Sequence, residues 1–221
     1  MTGGRPSGPI VAIDGPAGSG KSTLARRVAL AMGLPYVNTG LMYRALARRA
    51  LDFGTDPHDG PALRALLEAI GFELDPKTSP PSLLVDGRVP GDEILDPQVE
   101  AIVSTVARHP EVRALMAERQ RVLGLRGSVM EGRDIGSVVF PEADVKMFLD
   151  ASADERAGRR SRERAGAAGV AEEMARRDKR DSRVNPFVPA EDAVLLDTTG
   201  RTPQEVLEEA LRIVRSRVGE R

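Results

Sequence analysis

The sequence predicts an α/β protein in which a five-stranded, mostly parallel sheet lies between layers of helices, with an inserted antiparallel subdomain and a helical, arginine-rich lid. Three observations point there. Short apolar runs alternate with segments of helical periodicity, the pattern of βαβ units. A glycine-rich turn joins the first run to the first helix. Pro57, Pro61, Pro76, Pro80, Pro81, Pro90 and Pro97 interrupt the stretch between Asp56 and Pro97, where the character of the chain changes.

Ile10 to Ile13 is an apolar run bounded by Gly8-Pro9 and Asp14-Gly15, which suits a strand buried on both faces. Lys21 to Met32 places Leu24, Val28 and Met32 four residues apart, a helix ended by Gly33 and Pro35. Tyr36-Val37 is a brief second strand, and Gly40 to Phe53 a second helix with Leu41, Ala45, Leu46 and Leu51 on its apolar side. The insert over 56–97 reads as antiparallel strands, with segments such as Gly71 to Leu74 and Ser82 to Val85, and Asp86-Gly87 as a hairpin-turn dipeptide. Two helices, Pro97 to Ala107 and Pro110 to Leu123, return the chain to the sheet. Ser128 to Met130, Val145 to Leu149 and Ala193 to Leu196 are the remaining strands. The last helix starts at Thr202-Pro203, with Glu205 as a capping partner for Thr202.

Composition narrows the chemistry. Acids and bases nearly balance, at a formal net charge of -1 over 221 residues, so bulk charge does not make a polyanion binder. The arginines nevertheless cluster between Arg156 and Arg183, as an anionic small ligand would require. Without cysteine there is no disulfide, thiolate metal site or cysteine nucleophile, which fits a reducing cytoplasm. The histidines, His58 and His109, each sit beside a proline in a turn-like context, which argues against a triad or a histidine-built metal site. Two tyrosines, five phenylalanines and no tryptophan leave little for a single-stranded nucleic-acid platform. No run reaches the roughly 20 apolar residues of a membrane span.

Gly15-Pro-Ala-Gly-Ser-Gly-Lys21-Ser22 satisfies G-x-x-x-x-G-K-[ST] with an apolar strand before it and a periodic helix after it, the context a P-loop needs. The core is therefore expected to be a P-loop three-layer fold. Gly15, Gly18 and Gly20 let the backbone turn tightly, so that the amides of Pro16-Ala17-Gly18-Ser19 and their neighbours surround ATP phosphates; proline itself supplies no amide. Lys21 neutralises β- and γ-phosphate oxygens, Ser22 ligates Mg2+, and Thr23 continues the helix N-terminus. GTPases, motor ATPases and small-molecule kinases all share this loop. Asp197-Thr-Thr-Gly200 matches D-x-x-G but follows the last strand, and no N-K-x-D guanine-reading sequence is present. A kinase of a phosphorylated acceptor needs arginines from separate segments, and this chain has them. Glu131-Gly-Arg133-Asp134 follows the third core strand at the edge beside the P-loop. There Arg133 suits an acceptor phosphate, Glu131 a magnesium-bound water, and Asp134 a base amino group.

Ile13 to Ser22, Thr39-Gly-Leu-Met-Tyr-Arg44, Gly132 to Pro141, Phe148 to Ala151 and Arg177-Asp-Lys-Arg-Asp181 together resemble bacterial cytidylate kinases, over nearly the whole chain. The resemblance implies transfer of the ATP γ-phosphoryl group to CMP or dCMP. It implies that Thr39, Arg44 and Arg133 face the CMP phosphate, that Ser104, Arg113 and Asp134 read cytosine, and that Arg177 and Asp181 face the ribose. Arg183 becomes the phosphate-binding arginine after that aspartate. The implied division is a core of 1–55, 98–155 and 182–221, an NMP-binding insert of 56–97 and a lid of 156–181. From likeness to nucleoside monophosphate kinases generally, Arg156 lies over adenine and Arg160 reaches ATP phosphates, while Arg159, Arg162 and Arg164 are read as part of a solvated basic helix paired with Glu155, Glu163 and Glu172. A monomer without nucleic-acid or membrane partners is the family-like default. The chain departs from the family pattern at Leu95, where an arginine commonly follows Glu-Ile, and in the segment from Asp181 to Pro186, which is about two residues short. A kinase for UMP, AMP or a non-nucleotide acceptor, and a nucleotide-binding switch, remain the rival readings.

Overall fold

The computed structural model describes residues 6–163 and 188–219. Chain order is β1 (Ile10–Asp14), α1 (Lys21–Met32), β2 (Tyr36–Asn38), α2 (Thr39–Asp52), α3 (Gly60–Glu68), β3 (Phe72–Asp75), β4 (Ser82–Val85), α4 (Pro97–Val106), α5 (Pro110–Gly124), β5 (Ser128–Gly132), β6 (Val145–Asp150), α6 (Ala153–Glu163), β7 (Val194–Asp197) and α7 (Pro203–Val218). Five strands pair in parallel in the order β2-β5-β1-β6-β7, and β3 pairs antiparallel with β4 in a separate ribbon.

β1 is buried along its whole length at the centre of the sheet. Its side chains alternate between two helical layers, as period-two geometry requires. Ala12 joins Val37 and Met130 under α2, α3, α4 and α5, whereas Val11 and Ile13 join Val129, Met147 and Leu149 under α1 and α7. Local signals set the helix ends. Gly33 closes α1 in the left-handed region at φ 63°, Asn38 caps α2 through Leu41 N, and Thr202 with Glu205 forms the expected capping box on α7.

The insert differs from its sequence expectation. Gly60–Glu68 is a helix, capped by Asp59 and started by Pro61, and its Leu63 and Leu67 are buried in the same core as α2 and α5. Proline here opens a helix instead of breaking one. The Asp86-Gly87 turn forms with both residues at positive φ, but it closes only a single bridge between Val85 and Arg88; the ladder itself is β3 with β4. Among the described residues no helix is long and apolar enough to cross a membrane.

Register brings the carboxyl ends of the strands to one edge: Asp14 lies opposite Gly132, Asn38 opposite Glu131, and Asp150 opposite Asp197. Ligands of open α/β sheets bind beyond that edge.

Candidate active site

The loop of residues 15–20 leaves β1 at this edge and enters α1. Gly15 has φ 143°, and a Cβ there would stand 2.1 Å from the Leu149 carbonyl oxygen, so no side chain fits between β1 and β6. Gly18 and Gly20 are also at positive φ. Lys21 is buried and donates from Nζ to the Pro16 carbonyl at 2.6 Å, while Arg133 donates to the Gly15 carbonyl at 2.6 Å. Two cations from different elements thus meet on consecutive P-loop carbonyls.

Strand β5 runs two residues further than expected, so Glu131 lies inside the sheet instead of in the loop after it. It is buried, and both oxygens are engaged: Ser22 Oγ donates to Oε2 at 2.8 Å and the Tyr36 hydroxyl donates to Oε1. Burial pushes its carboxyl above the usual carboxylate range, opposed by the charge on Lys21, the hydrogen bonds from Tyr36 and Ser22, and the charge on Arg133. Thr39 Oγ1 donates to the Glu131 carbonyl at 2.7 Å, fixing the start of α2 against β5. Among the described residues no cluster of three or more histidine or carboxylate groups offers an all-protein metal cage. One hydroxyl beside one carboxylate at a phosphate loop is instead the oxygen donor set that suits a magnesium ion sharing its remaining positions between phosphates and water.

The residues expected to bind the acceptor line the same cleft. A cavity of about 330 Å³ is lined by Ala17, Gly18, Lys21 and Ser22 of the P-loop together with Thr39, Tyr43, Arg44, Leu95, Ser104, Arg113, Glu131, Arg133 and Asp134. Arg44 is buried, pairs with the equally buried Glu100 and donates to the Ile94 carbonyl at 3.3 Å. Arg113 pairs with Asp134 at 2.5 Å. Ser104 is buried on α4, facing this cavity. Leu95 lines it too while remaining 57% exposed, an apolar lip on the cleft.

Asp14 anchors the loop that carries Arg133 and Asp134. Its Oδ1 accepts from Ile135 N at 2.9 Å and its Oδ2 from Gly136 N at 2.8 Å. Burial pushes its carboxyl up to about 6 against the pull of those two amides.

A second cavity, of about 400 Å³, lies on the outer side of the P-loop among Gly18, Gly20, Thr23, Glu155, Arg159, Thr198 and Arg201. Arg159 pairs with Glu155 as expected but is not merely solvated: it also donates to Thr198 Oγ1 at 2.9 Å and to the Thr198 carbonyl at 2.7 Å. Glu155 in turn accepts from Gly200 N at 2.7 Å. The cause is that Thr198 is buried against the P-loop, donating to the Ser19 carbonyl at 3.1 Å, which draws the turn after β7 under α6. Arg156 donates to the Ala151 carbonyl at 3.1 Å and to the Ala17 carbonyl at 3.2 Å, and Arg160 follows one turn later on α6. Arg177, Asp181 and Arg183 lie outside the described residues.

Sequence reasoning missed Tyr36, Asp14, Glu100 and Thr198. Tyr36 had a signal available, since a tyrosine three residues before the start of α2 ends on the strand next to β5. Glu100 had none, because only the packing of α4 on α2 brings it to Arg44. Both histidines serve the root of the insert, where His109 meets the Pro57 carbonyl and His58 meets Arg108.

The sequence model of the family described as Cytidylate kinase matches residues 11–216. The chain is 46% identical over 218 residues to the cytidylate kinase of Geobacillus kaustophilus (strain HTA426), covering 95% of this chain and 97% of that one. It is 46% identical over 207 residues to a cytidylate kinase of Thermus thermophilus, covering 93% and 98%. It is also 47% identical over 221 residues to the bifunctional pantoate ligase/cytidylate kinase of Synechococcus sp. (strain WH7803), where it covers 95% of this chain and spans 45% of the longer protein.

Proposed function

Because the chain belongs to the cytidylate kinase family, we propose that its cleft passes the γ-phosphoryl group of ATP directly to a phosphate oxygen of CMP or dCMP, releasing ADP and CDP or dCDP. The observation that carries this reading is the single cavity in which Lys21 and Ser22 of the P-loop face Thr39, Arg44, Arg113, Arg133 and Asp134.

The P-loop amides from Gly15 to Thr23 hold the donor phosphates at the N-terminus of α1, where the helix dipole favours anions. Lys21 leaves the Pro16 carbonyl for β- and γ-phosphate oxygens, exchanging a neutral acceptor for a charged one. Ser22 and, through a water, Glu131 would hold magnesium, which would offset the negative charge of the phosphates. Thr39, Arg44 and Arg133 hold the acceptor phosphate. Arg133 reaches both sides, since the loop that carries it is anchored on Asp14 and its guanidinium already touches the P-loop. Ser104, Arg113 and Asp134 read cytosine at the far end, where Asp134 accepts from the base amino group. Arg156 and Arg160 on α6 cover the donor nucleotide, and Arg177, Asp181 and Arg183 contact the ribose and phosphate of the acceptor. Transfer is in line: the acceptor oxygen bonds to the γ-phosphorus as the bond to the β,γ-bridging oxygen breaks, and no residue forms a covalent intermediate. The rest is positioning and charge stabilisation with water kept out. The protein acts as a monomer in the cytoplasm, where both nucleotides are available.

Lys21→Ala is expected to lower kcat/KM by orders of magnitude while leaving the melting temperature within a few degrees, measured by coupled ADP release and thermal unfolding. Near-normal turnover in that variant would refute the reading.

A further inference from the structure

We propose that Tyr36 is a positioning residue for phosphoryl transfer, whose hydroxyl holds Glu131 so that one carboxylate oxygen alone faces the magnesium position. This rests on the proposed role of Ser22 and Glu131. The two oxygens of Glu131 are divided between partners from different elements, Oε1 taking the Tyr36 hydroxyl from β2 and Oε2 taking Ser22 Oγ from α1 at 2.8 Å. When Ser22 turns to a cation, Oε2 becomes the acceptor for a metal-bound water, and Oε1 stays with Tyr36.

Without that donor the carboxylate can rotate about its terminal bond and present either oxygen to Lys21, whose positive charge acts on it. A buried carboxylate oxygen left without a donor is costly, and the rotation relieves that cost. Tyr36 is itself held. Its hydroxyl accepts from Asn38 Nδ2 at 3.3 Å, and Asn38 Oδ1 accepts from Leu41 N at 3.2 Å as the cap of α2. A continuous line of hydrogen bonds therefore runs from the cap of the helix bearing Thr39 and Arg44, through Asn38, Tyr36 and Glu131, to Ser22 at the start of the donor helix. The acceptor-side helix and the metal-side carboxylate are fixed to one another through the Tyr36 hydroxyl.

The test is the gain in ADP affinity that magnesium brings, measured by calorimetry as the ratio of the ADP Kd in EDTA to that in saturating Mg2+, for wild type, Glu131→Gln and Tyr36→Phe. Phenylalanine keeps the ring and removes the hydroxyl, and with it both the bond donated to Glu131 and the one accepted from Asn38, and thermal unfolding checks that each variant is folded. Glu131→Gln is expected to abolish most of the gain. Tyr36→Phe is expected to cut it about tenfold, the size seen when the partner of a metal-site ligand is removed, with the metal-free Kd within about twofold of wild type. A merely structural tyrosine would lower the melting temperature and leave the ratio alone. A wild-type ratio in Tyr36→Phe, with the ratio lost in Glu131→Gln, would overturn the role of Tyr36 and leave the metal site standing. A wild-type ratio in both would overturn the reading of Glu131 beneath it.

Discussion

Replacing Asp14 with asparagine tests how the acceptor loop is anchored. The Asp14 carboxylate accepts the Ile135 and Gly136 amides immediately after Arg133 and Asp134, and its burial lifts its pKa from 3.8 to about 6. That span corresponds to about 3 kcal/mol between the two protonation states. The native carboxyl keeps its proton between pH 3.8 and 6, where the unfolded chain has already released it. The stability Asp14 contributes is therefore full below pH 3.8 and is lost as pH rises through about 6. Asparagine does not titrate. The stability of wild type minus that of Asp14→Asn should fall with rising pH, by about 2 of the 3 kcal/mol between pH 4.5 and 7.5, in urea denaturation at matched ionic strength. A difference that stays flat or grows over that window would refute the assignment of a desolvated carboxyl here. The charge is retained at neutral pH because the two amides it satisfies would otherwise be buried acceptor-free, at a cost of comparable size.

Two further outcomes follow from the acceptor wall. Glu100→Ala leaves the buried Arg44 guanidinium without its carboxylate, and is expected to cost about 3 to 5 kcal/mol in denaturant unfolding together with a higher KM for CMP. Arg113→Met removes one partner of the Arg113–Asp134 pair that lines the cleft. Losing a charge-assisted contact of about 1.5 to 3 kcal/mol, it should raise the KM for CMP roughly tenfold to a hundredfold and leave the KM for ATP within about twofold in initial-rate assays.

The P-loop, as a piece of structure, was legible because it is local. A strand, a glycine-rich turn and a helix occupy one continuous stretch, so Gly15 to Ser22 could be placed from periodicity and spacing alone. Helix starts at Pro97, Pro110 and Thr202 were legible for the same reason, each carried by a proline or a cap within a few residues. What escaped was decided by distant packing. Glutamate is a poor strand residue, yet parallel pairing with β1 and β2 draws β5 on to Gly132 and takes Glu131 into the sheet. Pro61 was counted among the interruptions of the insert, although a proline in a first helical turn starts α3. Arg159 resembled a solvated lid arginine, since nothing near it in sequence announces that Thr198 is buried beside the P-loop and offers it two acceptors.

Whether the cavity lined by the P-loop and by Arg44, Arg113, Arg133 and Asp134 is a two-nucleotide site that accepts cytidine monophosphates is tested most directly by coupled ADP release with magnesium ATP and, in turn, CMP, dCMP, UMP and AMP. Turnover is expected with CMP and dCMP, each giving the corresponding diphosphate in equal amount to ADP, and none above background with AMP. AMP turned over as readily as CMP, or no ADP released in the presence of CMP, would contradict it.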